Sequence, residues 1–207
     1  MRVFQQPRYT LTSLEISLLR FISQRIHGPF YKMLQLGSPF HLVKRFFVSV
    51  FVFRTDTKTE IELLELLTEE EKKLYLSQPR IDRIHSVRNA NSVLSNSSGA
   101  FQPTHVVAAA LHDVGKAEAN LGILGRVSAT TLQKIVPMDK IRSWNLKEGI
   151  RNRIYSYCIH TERGAELLSE AGSAPIVVSW ALQHHNKEDN IEIPQEIVAV
   201  LKKADRS

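Results

Sequence analysis

Residues Val106 to Lys116 read V-V-A-A-A-L-H-D-V-G-K, an Ala-rich apolar run that closes on adjacent His112 and Asp113 and then on Gly115 and Lys116. Alanine and leucine are strong helix formers, and Gly115 is suited to stop the helix they build. A helix over about Pro103–Val114 is therefore expected, buried along its apolar length. It delivers an imidazole, a carboxylate and, one turn later, an ammonium to one place. Neutral imidazole with carboxylate is the usual mixed ligand set of a divalent transition metal. Lysine is a compact cation suited to a phosphate oxygen. The competing reading is that the helix ends in polar residues only because it reaches solvent there. This stretch alone does not choose between the two; its surroundings do.

From Asp82 onward the pattern is helical throughout. Asp82 is placed to cap a helix that carries His85 and runs to about Ser95, where S-N-S-S-G makes a turn over Ser95–Gly99. Beyond the central helix, a helix over Ser128–Val136 is ended by Pro137, and another spans about Leu146–Ile159. The next starts near His160 and stops at Gly172. Pro175 fits the first position of the following helix, which reaches His184-His185, and Pro194 opens the last, which carries Asp205. Upstream, Thr57–Leu67 alternates acids with leucines as a short amphipathic helix. Thr68-Glu69-Glu70-Glu71 is a capping box opening a helix to about Gln78, which Pro79 ends. Its three glutamates read as helix N-terminal charge facing solvent. No segment alternates convincingly enough for a sheet, and no repeat is visible. The fold expected is all-α, a helical bundle-like domain.

The 207 residues are enough for one large domain, or one ordinary domain and an appendage. An apolar fraction of 43% and a charged fraction of 23% are those of a globular chain. Cys158 is the only cysteine, which rules out an intrachain disulfide and a cysteine-based zinc site. In I-Y-S-Y-C-I it reads as a small buried residue. The net charge of +6 is unevenly placed: residues 1–56 hold eight Lys/Arg and two acids, and residues 57–207 hold nineteen of each. Three regions follow: a basic N-terminal segment, 1–56, a helical connector, 57–80, and the domain that carries the chemistry, 81–207.

Within the first region a helix is expected over 10–26, closed by Gly28-Pro29. The run Phe46–Phe53 (F-F-V-S-V-F-V-F) is too short to span a bilayer, which takes about twenty residues. Packing of that run on the protein's own core is favoured over an interfacial contact, so docking of residues 1–56 on nucleic acid or an anionic membrane is a secondary expectation. The N-terminal residues lack the charged start, apolar core and small-residue cleavage site of a secretory signal, and a cytoplasmic location is expected.

His85, His112, Asp113, His160, His184, His185 and Asp205 fall on five separate expected helices, most of them close to a helix end. His27 and His41 lie in the basic segment, and His105 reads as an ordinary helix-start residue. The ordered pattern H…HD…H…HH…D, with D-R-I-H-S-V before the central H-D-V-G-K and I-H-T-E-R-G-A-E-L-L after it, resembles the HD superfamily of metal-dependent phosphohydrolases. The resemblance covers about Asp82 to the last residue. The wider run H-D-V-G-K-A-E-A-N-L-G-I-L-G-R-V is similar to a group of bacterial HD-domain proteins.

The resemblance implies that His85, His112, Asp113 and Asp205 are the four ligands that give the superfamily its name. It implies too that His160 and the His184-His185 pair are the added ligands of members that bind two ions, the central aspartate bridging both. Asp113 and Lys116 become the candidate catalytic residues, with Lys116 contacting substrate phosphate. Imidazole and carboxylate hold iron, manganese, cobalt, nickel or zinc in preference to magnesium, so one or two divalent transition ions are expected. A metal-activated water would then attack the phosphorus of a phosphate ester: a nucleotide, a phosphomonoester or a cyclic nucleotide phosphodiester. Arg126, after the second glycine of L-G-I-L-G-R, is a further phosphate-binding candidate or else a solvated surface arginine.

Members that cleave cyclic dinucleotides carry Gly-Tyr-Pro after the histidine pair. This chain has H-H-N-K-E-D-N-I-E-I-P, which argues against that activity. Asp205 lies two residues before the last one, where a helix frays unless something holds it. The alternative to an enzyme is a non-catalytic metal- or nucleotide-binding signalling module on the same fold.

Overall fold

The computed structural model describes residues 56–96 and 102–206. The expectations for residues 1–55 lie outside the described residues: the helix over 10–26, the Phe46–Phe53 run, and docking of the basic segment. Ten α-helices, two 3₁₀ turns and no strand make up the described residues, an all-α fold. No described helix is long and apolar enough to cross a membrane.

In chain order the helices are α1 Thr57–Leu66, α2 Glu69–Ser77, α3 Arg80–Asn96, α4 Pro103–Leu111, α5 Ile123–Ile135 and α6 Met138–Arg142. They continue with α7 Ile150–Cys158, α8 His160–Glu170, α9 Pro175–Gln183 and α10 Gln195–Asp205. The 3₁₀ turns span Val114–Ala119 and Glu188–Asn190.

Helix α4 is the axis. Every residue from Val106 to Leu111 is buried, and α3, α9, α10 and α1 pack around it. Its alanines are what allow so many neighbours: a methyl side chain lets a second backbone approach closely on each side. Leu63 and Leu67 from the first helix and its exit, Tyr75 from α2, Val87, Ala90 and Val93 from α3, Trp180 from α9 and Leu201 from α10 complete this core. The connector helices thus contribute to the same core as the helices that follow. A second apolar cluster joins Ala119, Leu121, Ala129, Ile141, Ile154 and Cys158 beneath α5, α6 and α7. Cys158 is buried there, and burial raises its thiol pKa.

Helix boundaries follow local chemistry, with instructive departures. The capping box at Thr68 forms as expected: Glu71 N donates to Thr68 Oγ1 at 3.2 Å and Thr68 N to Glu71 Oε2 at 2.9 Å. Glu71 does not face solvent with Glu69 and Glu70, however. It is buried, and its second oxygen accepts from Ser173 Oγ at 2.7 Å. The α4 helix stops at Leu111, with His112 as its C-cap, instead of continuing to Val114. Helix α5 begins at Ile123, five residues earlier than Ser128, because Gly122 supplies an extended N-cap. Helix α7 begins at Ile150, not Leu146, since Gly149 is left-handed at φ +73 and interrupts any helix through it. The short α6 after Pro137 was not expected from the pattern.

Candidate metal centre

The fold brings helix ends to one place. His112 caps α4 and Asp113 follows it; His160 is the first residue of α8; His184 caps α9 and His185 follows it; Asp205 is the last residue of α10. His85 alone comes from within a helix, α3. All seven residues singled out as metal ligands therefore converge. Their ligand atoms form three overlapping groups, each within 4.8 Å: His85, His112 and Asp205; His112, Asp113 and His184; His160, His184 and His185. These groups can hold a metal ion.

Tautomers follow from the hydrogen bonds. His112 Nδ1 lies 2.9 Å from Ala109 O, His160 Nδ1 2.7 Å from Tyr157 O, and His184 Nδ1 2.9 Å from Ala181 O. A carbonyl only accepts, so in each ring Nδ1 carries the proton and donates it. The Nε2 lone pairs are then aimed at carboxylate oxygens. Asp113 Oδ2 lies 3.5 Å from His112 Nε2 and 3.8 Å from His85 Nε2, while Asp113 Oδ1 lies 3.5 Å from His160 Nε2 and 3.6 Å from His184 Nε2. Asp205 Oδ1 lies 3.2 Å from His112 Nε2 and 3.5 Å from His85 Nε2. On the far side, His185 Nε2 is 3.2 Å from His160 Nε2.

Buried acceptors that face one another are relieved by a proton or a metal cation between them. His112 Nε2, Asp113 Oδ1 and His184 Nε2 are fully buried with no hydrogen-bond partner among the described residues. An orphaned buried acceptor costs about 1–3 kcal/mol, and three converging on one point fit the donor set of a divalent transition ion.

The electrostatics agree. Burial alone would raise the pKa of Asp113, yet Lys116 and then His112, His160 and His184 hold it well below the usual carboxylate range. Burial is likewise overcome at Asp205 by its contacts with His112 and His85, and that carboxyl also sits low. Burial and the Lys116 ammonium push His160 down to about 3. His184 falls well below its ordinary value through burial and the neighbouring His112. His112 goes the other way: burial opposes its charged form, but Asp113 and Asp205 outweigh that and raise it. The two carboxylates, His160 and His184 thus stand deprotonated at neutral pH, the form in which such groups bind a metal ion.

Lys116 reaches Asp113 Oδ2 at 2.5 Å. It rides on the 3₁₀ turn that follows Asp113, and Gly115 makes this possible, because that turn lies directly against the backbone of His160 and Gly164. Arg126 is neither a surface arginine nor free of partners. It is buried and forks onto Asp82, with NH1 at 2.5 Å from Oδ1 and NH2 at 2.7 Å from Oδ2. Asp82 accordingly is not an N-cap: it lies in the first turn of α3 and spends its carboxylate on a guanidinium 44 positions away. His105 is buried and accepts from Gln102 N at 3.1 Å, in keeping with a helix-start role.

Three neighbours of the centre were missed from the sequence. Asn89, one turn after His85, places Nδ2 3.1 Å from His85 Nε2; the i,i+4 spacing on a helix that carries a ligand was the available signal. Tyr157 lies between Lys116 and His160, its ring 6.0 Å from Lys116 Nζ and 5.8 Å from the His160 ring. Lys202, three residues before Asp205, reaches the end of α9. The chain matches no family model, and no curated protein or solved structure is significantly similar to it.

Proposed function

We propose that this chain is a metal-dependent phosphohydrolase of the HD superfamily that hydrolyses a phosphate ester, a nucleotide being the favoured class. One observation carries the reading: the two oxygens of Asp113 face different pairs of imidazoles. Oδ2 faces His85 and His112, with Asp205 beside them, and Oδ1 faces His160 and His184, with His185 beyond. A carboxylate so placed suits two ions, one held by His85, His112, Asp205 and Asp113, the other by His160, His184, His185 and the same Asp113. Nitrogen-rich sets of this kind favour iron, manganese, cobalt, nickel or zinc over magnesium.

Divalent ions bound there supply Lewis acidity toward a phosphate oxygen and lower the pKa of a coordinated water. The protein's own groups do the rest. Lys116, charged because Asp113 outweighs its burial, is a point cation for a phosphate oxygen, one hydrogen bond from the Asp113 carboxylate. Asp113 is thereby oriented as well as neutralised. His160 and His184, kept neutral, hold their lone pairs ready. Asp82 holds Arg126 in a fixed fork, which makes Arg126 a rigid flank on the Lys116 side. His85 is about a third exposed and His185 is exposed, so substrate reaches the centre from their side.

The test is elemental analysis of the full chain beside His160→Ala, followed by a panel of phosphomonoesters, nucleotides and phosphodiesters. Close to two transition ions per chain, fewer in the variant, and metal-dependent release of phosphate or alcohol are expected. Saturable nucleotide binding without any metal-dependent hydrolysis would overturn the enzyme reading in favour of a binding module.

A further inference from the structure

The ligands of the centre come from separate helices, and one side chain ties two of those helices together. Lys202 lies on α10, one turn before Asp205 and on the same face. Its Nζ donates to His184 O at 2.5 Å and to Asn186 O at 2.8 Å. His184 is the C-cap of α9, where a helix leaves acceptors without intrahelical donors and where a cation is favoured, and Asn186 lies two residues beyond it. The same ammonium stands 5.8 Å from the centre of the Trp180 ring. Trp180 in turn lies against His112 and His184, with ring centres 6.5 and 6.0 Å apart. Val198, Leu201 and Ala204 hold α10 through apolar contacts. Its two ends reach the Glu188–Asn190 turn, not α9 itself, through Gln195 Nε2 on Glu188 O at 3.1 Å and Arg206 on Glu188 Oε1 at 3.5 Å. Apolar contacts resist separation but tolerate small slides, whereas two charged hydrogen bonds set position along the helix. Asp205 ends its helix, where the last turn otherwise frays.

We propose that Lys202 is a positioning residue for the metal centre. By hooking over the end of the helix that bears His184, it holds the Asp205 carboxylate against His85 and His112. It thereby couples the Asp205 side of the centre to the His184 side. This rests on the metal-centre reading above. Removal of the ammonium loosens Asp205, while His160 and His184 keep their rings fixed by their own backbone bonds.

The test titrates the full chain with Zn²⁺ alone, in competition with a chromophoric chelator, for wild type, Lys202→Met and Lys202→Arg, each with and without Asp205→Ala. Methionine keeps the stem beside Trp180 and removes only the donor. Lys202→Met is expected to weaken uptake of one ion by about ten- to a hundredfold, the range for partners that orient a ligand. Lys202→Arg should restore most of the loss, and Lys202→Met should add nothing once Asp205 is alanine. Wild-type affinity in Lys202→Met, or an undiminished loss in the Asp205→Ala background, would overturn the proposal. Should the methionine variant not fold, Lys202→Leu, which likewise has no donor, is read in its place by the same criteria. Failure of the wild type to take up any ion would refute the metal centre itself, and this inference with it; uptake without a Lys202 effect refutes only the inference.

Discussion

Replacing Gly115 by alanine puts a methyl group where the backbone of another helix already lies. A Cβ built there falls 2.1 Å from His160 O and 2.6 Å from Gly164 N. Neither atom belongs to a side chain that can swing away. Ordinary contact begins near 3.4 Å, so the turn that carries Lys116 must retreat from α8 by about 1.3 Å, the difference from 2.1 Å. Overpacking of this kind costs about 1–3 kcal/mol, and the backbone entropy that alanine saves returns at most about 1 kcal/mol. A clash this deep with fixed backbone falls in the upper part of that range, about 2–3 kcal/mol, so a net loss of about 1–2 kcal/mol is expected. With a urea dependence of about 2 kcal/mol per molar, the unfolding midpoint should fall by about 0.5–1 M. The retreat also exceeds the tolerance of about 0.5 Å for a working site, so zinc uptake by the folded variant should drop as well. A variant with a midpoint within about 0.2 M of wild type and unchanged zinc uptake would refute the close-approach argument.

Acid should destabilise the metal-free protein in a defined window. His160 is buried and lowered to about 3, so below the ordinary histidine value the unfolded chain binds a proton that the folded one does not. Stability is therefore fully present above about pH 6.5 and falls toward pH 3, by about 1.4 kcal/mol per pH unit from this residue, with His184 adding in the same direction. Denaturant midpoints measured at pH 7, 6 and 5 check this, and a flat profile contradicts it. Arg126→Met leaves the Asp82 carboxylate buried without its guanidinium and should cost about 3–5 kcal/mol. The double variant Asp82→Leu with Arg126→Met should recover most of that in the same denaturation assay. Zinc at a hundredfold its dissociation constant should stabilise the wild type by about 2.7 kcal/mol, and the Asp113→Ala variant by much less, as read from thermal melts.

What was legible in the sequence is what local chemistry fixes. The Thr68 capping box, the proline at the start of α9 and the buried alanine run each declare themselves within a few residues. The candidate ligand set came from the resemblance to the HD superfamily, and the fold gathers those imidazoles and carboxylates into groups that could hold a metal ion. Pairings across the fold were not legible. Asp82 looks like a cap because caps are its commonest local role; only the approach of α5 to α3 makes it the partner of Arg126. Glu71 likewise looks solvent-facing until Ser173 arrives from the far end of α8. Gly115 reads as a helix stop, but α4 already ends at Leu111 and Gly115 lies within the 3₁₀ turn that follows; its main constraint is the backbone of α8, which no window around it contains. Lys202 sits among ordinary surface lysines until the end of α9 is seen beneath it.

The backbone bonds of His112, His160 and His184 have a consequence for how the centre comes into being. Each Nδ1 proton is spent on a carbonyl three positions earlier, the kind of acceptor that a finishing helix leaves open. Orientation of these three rings is therefore a product of helix termination and is complete once the helices form. Folding and loading become separable events. A chelator-treated chain should keep its helices and accept an ion at a rate set by diffusion and dehydration, with no slow refolding step before capture.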